Sequence, residues 1–94
     1  MDNCITIELP KNFTIAEAGK FRGKINKLIE SGEKNFIIDF NKCEFIDSTG
    51  LGVMVAAYKR CVEHSGSIKL RGLNEPVRKL FKLTRLDKVF EIFS

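Results

Sequence analysis

"FIDSTGLGVMVAAYKRC", residues 45–61, is the stretch that decides how the chain is read. From Leu51 onward the apolar residues Leu51, Met54, Val55, Tyr58, Cys61 and Val62 recur at i, i+3, i+4, i+7, i+10 and i+11. That spacing predicts a helix over residues 51–62 with a buried stripe, closed by "HSG" at Gly66. The preceding "NKCEFIDSTG", residues 41–50, reads as the loop that feeds the helix. A helix start has unpaired N–H groups and a partial positive charge, so Asp47 or Ser48 can cap it. A cap does not account for Gly50 and Gly52, which cost the first turn up to ~1 kcal/mol each relative to alanine. They leave the helix start bare, so that an anion or a macromolecule can approach Ser48 closely. On this reading the glycines serve access rather than stability, and Gly50→Ala leaves the domain folded.

Outward from this stretch, strands and helices alternate. "CITIEL" places Ile5, Ile7 and Leu9 on one side and Cys4, Thr6 and Glu8 on the other, and Pro10 ends it. Ile15, Ala18, Phe21, Ile25, Leu28 and Ile29 are spaced as a helical stripe. Thr14 stands as its cap with Glu17 three residues on, and Gly32 closes it. "NFIIDF" and "SIKLRG" alternate as strands, the second with Ile68 and Leu70 inward. "NEPVRKLFKL" reads as a short helix capped by Asn74, with Pro76 in its first turn and Val77, Leu80 and Phe81 buried. "KVFEIF" reads as a closing strand. The order βαβαβαβ predicts an α/β domain with a mainly parallel four-stranded sheet. Because the inner strands still alternate polar with apolar residues, helices are expected mostly on one face.

At 94 residues the chain suits one domain, residues 1–94, with a single core. Hydrophobic residues at 44% and charged residues at 30% indicate a globular chain rather than a disordered one. No apolar run approaches the ~20 residues of a membrane span. The N-terminal "MDNCITIELP" has neither the basic start nor the apolar core of a secretory signal. Cys4, Cys43 and Cys61 are odd in number and lie far apart, so they read as reduced packing thiols of a cytoplasmic protein. The single histidine, His64, has no ligand cluster around it in sequence, and no metal is expected. It suits a favourable positive charge at a helix C-terminus. Residues 1–58 carry seven Lys/Arg against eight Asp/Glu, whereas residues 59–94 carry nine against four. The basic third has no aromatic platform or nucleic-acid motif, so a solvated surface outweighs direct nucleic-acid or membrane contact.

Three chemistries compete for Ser48. A nucleophile needs a base, and His64 lies about four turns along the same helix at ~1.5 Å rise per residue. "DSTGLG" is not the G-x-S-x-G elbow either, so an enzyme is not expected. A phosphate-binding loop would need G-x-x-x-x-G-K-[ST], which the chain lacks, and no cofactor is expected. The third reading is a residue that another protein modifies.

Here the chain resembles a known family. "FIDSTGLGVMVAAYKRC" is similar to the signature of the STAS domain, in particular of bacterial anti-sigma-factor antagonists, and "GSIKLRGLNEPVRKLFKLTRLDKVFEIF" to the elements that follow it. The resemblance covers nearly the whole chain and is strongest from Asn35 onward. It implies that Ser48, directly after Asp47, is the phosphoacceptor, with Thr49 as a secondary acceptor. It further implies a partner-binding surface of Asp47, Ser48, Thr49, Gly50, Leu51 and Gly52. The implied partners are an anti-sigma factor with serine-kinase activity and a PP2C-type phosphatase. In the implied cycle, the unphosphorylated chain binds the anti-sigma factor and frees a sigma factor, as in stress-response and sporulation control. The phosphorylated chain does not bind until the phosphatase restores it. The alternative is a non-phosphorylated STAS subunit of a lipid-transport or signalling assembly. The segment "LPKNFT" departs from the family pattern, with Thr14 near the place of an aspartate. An extra leading strand common in the family is expected to be missing.

Overall fold

The computed structural model describes residues 4–93, so the first three residues of the N-terminal reading lie outside it. Strand β1 (Ile5–Glu8) is followed by the two-residue strand β2 (Asn12–Phe13) and helix α1 (Ile15–Glu30). Then come β3 (Asn35–Asp39), the two-residue β4 (Phe45–Ile46) and α2 (Ser48–Glu63). The chain continues through β5 (Ser67–Arg71), α3 (Glu75–Leu83), a 3-10 turn (Leu86–Lys88) and β6 (Glu91–Phe93).

The main sheet has the order β1-β3-β5-β6, and all its pairs are parallel, with Ile7 beside Ile38 and Ile38 beside Leu70. The period-two pattern sends Ile7, Phe36, Ile38, Ile68 and Leu70 to one face, where they are buried with Phe21, Ile25, Met54, Cys61 and Phe81 of the helices. On the other face Thr6 and Glu8 stay exposed. This is the parallel α/β sheet, covered on one side, that alternation predicts.

The structure departs from the sequence reading in several places. Residues 41–50 are not all loop: they hold β4 and the first turn of α2, which starts at Ser48 rather than Leu51. The closing strand is Glu91–Phe93, not residues 88–93. Arg85 takes a left-handed φ of 62° and starts the 3-10 turn, in which the Val89 and Phe90 amides bond back to the Leu86 carbonyl. Those local bonds turn Phe90 into the core before the chain can extend. Thr14 holds the cap position of α1, but its side chain makes no capping bond. At the end of α2 the left-handed residue is Ser65, while Gly66 lies against the Lys34 backbone, where a Cβ would collide. Ile15 and Val62, counted with the buried stripes, are 71% and 53% exposed.

Candidate functional site

The site is built at the start of α2. Asp47 has the extended backbone of an N-cap, and its Oδ1 accepts the Gly50 N–H at 2.8 Å. The Leu51 amide then closes the first helical bond to the Asp47 carbonyl at 3.0 Å. Asp47 therefore performs the capping that sequence alone left open between it and Ser48. Ser48 and Thr49 follow as the first helical residues, and both are exposed.

Beneath this turn lies the small parallel pair β2–β4, which aligns Asn12 with Phe45 and Phe13 with Ile46. Phe13 and Ile46 point inward, and Phe13 meets Phe21 of α1 edge-on at 5.4 Å. Such aromatic pairs contribute about 0.5–1.5 kcal/mol beyond their buried area. Gly50 settles onto this pair. A Cβ there would stand 2.5 Å from the Phe13 carbonyl oxygen and 2.8 Å from side-chain carbons of Phe13 and Ile46. Gly50 is thus buried, and its lack of a side chain allows α2 to seat. The access role expected for it is wrong for a packing reason. At Gly52 the surface is open: the residue is exposed, with nothing within 4 Å of a Cβ built there. Leu51 is half-buried against the core.

The loop that carries Asp47 is held at both ends. At its start, the Asp39 Oδ1 accepts the Asn41 backbone and side-chain N–H groups at 2.8 and 2.7 Å. Its Oδ2 receives Arg71 Nη2 at 3.2 Å across the sheet. The Asn41 backbone N–H most of all, and then Arg71 and the Asn41 amide, hold the Asp39 carboxyl below its ordinary value, although burial works against them. Further along, Asn74 uses both ends of its amide. Its Oδ1 caps α3 at the Val77 N–H, and its Nδ2 donates to the Cys43 carbonyl at 3.2 Å. Cys43 and Cys61 are buried free thiols, and burial pushes Cys61 up to about 11. Both are packing residues rather than reactive ones.

Two apolar side chains next to the site were not recognised from sequence as surface. Phe45, one residue before the buried Ile46, is 54% exposed, and Ile15 opens α1 directly after β2 at 71% exposure. Pairing of Asn12 with Phe45 brings these segments to the same end of the molecule as Ser48. The only signal for Phe45 was its alternation with Ile46, too short to read. His64 caps the far end of α2, its Nδ1 2.9 Å from the Arg60 carbonyl, and is remote from Ser48. Five of the nine basic residues of the C-terminal third lie on α3 and the turn after it, where Lys79, Lys82, Arg85 and Lys88 are exposed, while Lys59 and Arg60 lie on α2 and Lys69 and Arg71 on β5. No helix among the described residues is long and apolar enough to cross a membrane, and no three metal-ligating groups cluster there.

Comparison with known proteins gives a consistent picture. The protein-family model of the STAS domain matches residues 1–94. The chain is 32% identical to the anti-sigma-B factor antagonist of Bacillus subtilis over 97% of its own length and 83% of that protein's. A crystal structure from Thermotoga maritima superposes with a TM-score of 0.91 at 26% identity, covering all of this chain and 81% of that one. The anti-sigma factor antagonist SpoIIAA in its unphosphorylated form superposes with a TM-score of 0.79 at 21% identity, over 97% of this chain and 79% of that one. SpoIIAA of Bacillus in its phosphorylated form gives 0.78 at 22% identity, over 97% and 83%.

Proposed function

The chain belongs to the STAS domain family, and from that premise we propose that it is an anti-sigma-factor antagonist switched by phosphorylation of Ser48. Unphosphorylated, it binds an anti-sigma factor that is also a serine kinase, and so releases a sigma factor for transcription. The kinase modifies Ser48, binding ends, and a PP2C-type phosphatase resets the chain. The protein is a cytoplasmic binding module without catalysis of its own.

One observation carries this reading: Asp47 does the capping, which leaves the exposed Ser48 hydroxyl without that structural duty. A phosphate there adds about −1.5 to −2 charges beside unpaired helix N–H groups, which accommodate an anion. The fold therefore tolerates the modification, and this chain superposes about equally on the unphosphorylated and phosphorylated SpoIIAA structures. A docked partner meets the change differently. It must desolvate a new anion next to Asp47, and like charge at a buried interface costs several kcal/mol. Exposed Phe45 and Ile15 supply the apolar contact area that the partner covers.

The test is to incubate the protein with its anti-sigma-factor kinase and ATP and to map the modified residue by mass spectrometry. Phosphate on Ser48, absent from Ser48→Ala, is the expected result. Phosphate elsewhere with Ser48 unmodified would overturn the assignment. A chain that is never phosphorylated and co-purifies with a transport assembly would establish the alternative role.

A further inference from the structure

On the solvent side of the α1–α2 pair lies a cleft of about 170 Å³ lined by Arg22, Ile25, Asn26, Val53, Ala56 and Arg60. Its polar lining consists of two guanidinium groups and one amide, with no carboxylate. Among the described residues, none of the ion pairs involves Arg22 or Arg60. Two surface arginines would ordinarily be read as solvated. Arg60 is different, because its Nε is buried and has no hydrogen-bond partner. A buried N–H without an acceptor is costly, and more so on a charged group. Two cations facing one cleft also repel each other until an anion lies between them.

We propose that this cleft is an oxyanion site, in which a carboxylate or phosphate group bridges Arg22 and Arg60. The guanidinium fork matches either group with paired N–H bonds. Asn26 supplies a further donor, while Ile25, Val53 and Ala56 form an apolar wall that strengthens the charge interaction. The volume is below the ~300 Å³ at which pockets begin to hold drug-sized ligands, so it suits a single anionic group rather than a whole nucleotide. Ala56 lies eight residues after Ser48, roughly 12 Å along the helix at 1.5 Å per residue. The group can thus arrive as a free anion or as an acidic side chain of a protein docked over the start of α2.

The site is tested on the unphosphorylated chain without any partner, so its outcome is independent of the role given to Ser48. Side-chain Nε–Hε signals of the arginines are followed by NMR during separate titrations with inorganic phosphate and with acetate, at constant pH and ionic strength. The Arg22 and Arg60 signals are expected to shift saturably, while those of Arg78 on α3 and Arg85 at the turn after it do not. Saturation by phosphate alone assigns the cleft to a phosphate group. Saturation by acetate assigns it to carboxylates such as a partner's Asp or Glu. Arg22→Gln, at an exposed position that takes part in none of the ion pairs among the described residues, is expected to weaken half-saturation about tenfold, the scale of one charge-assisted contact. The proposal is overturned if neither anion gives a saturable shift or if Arg78 and Arg85 respond with the same concentration dependence. An unchanged half-saturation in Arg22→Gln overturns it as well.

Discussion

Gly50 has no room for a side chain because the carbonyl oxygen of Phe13 stands 2.5 Å from where its Cβ would lie. This single approach joins the start of α2 to the β2–β4 pair, and it fixes where Asp47 and Ser48 emerge.

Gly50→Ala is therefore expected to destabilise the domain. Overpacking against a backbone carbonyl and two fixed side chains costs about 1–3 kcal/mol. The gain in helix propensity, up to ~1 kcal/mol, offsets only part of this. Thermal unfolding should show Tm lowered by several degrees, at ~4–8 °C per kcal/mol for a domain of this size. Gly52→Ala meets open space and should leave Tm unchanged or slightly raised. Equal melting of Gly50→Ala and the parent chain would refute the packing role.

Asp47 and Ser48 should separate cleanly. Asp47→Ala removes the bond to the Gly50 amide and should cost about 1 kcal/mol in denaturant unfolding. Ser48→Ala should change stability by less than ~0.5 kcal/mol, as exposed substitutions away from such bonds do, yet abolish phosphorylation. A larger loss of stability in Ser48→Ala than in Asp47→Ala would reverse the assignment of the cap.

Asp39 predicts acid sensitivity. Its carboxyl lies below its ordinary value of 3.8 in the folded chain, so the folded state binds fewer protons there than the unfolded one. The stabilisation is fully present above the unfolded value and is lost as pH falls through the folded one. Denaturant midpoints measured from pH 6 down to pH 2 should decline more steeply for the parent than for Asp39→Asn, which lacks this group's titration. Parallel curves would show that the Asn41 and Arg71 contacts do not favour the ionised form.

Phe45→Ser and Ile15→Ser test the surface beside Ser48. Ile15 is 71% exposed, so Ile15→Ser should change stability by about 0.5 kcal/mol or less, whereas Phe45→Ser, at a side chain 54% exposed, should lose about 1 kcal/mol with the buried part of the ring. Binding to the anti-sigma factor, measured by calorimetry, should weaken by at least ~1 kcal/mol for Phe45→Ser if the ring is buried on docking. Unchanged affinity in both variants would move the interface away from this end of the molecule.

The long elements were legible because their periods repeat: the stripe through Met54 and Cys61, and the alternation of Phe36 and Ile38, are local facts of the chain. So was the placement of Asp47 and Ser48 at a helix start, and with it the family resemblance. Which of the two caps was not legible, since both carry a suitable oxygen and only the position of the Gly50 amide decides between them. Strands β2 and β4 have two residues each, too few for any period, and exist because they pair with each other. Gly50 looked like an access residue because a sequence does not show Phe13 lying on top of it. Ile15 and Phe45 carry core-like side chains, and only the packed fold leaves them in solvent. The Arg22–Arg60 cleft likewise joins residues 38 positions apart on two helices. Local order follows from the spacing of residue types along the chain, whereas surface, clearance and charge pairing depend on which distant segments the core brings together.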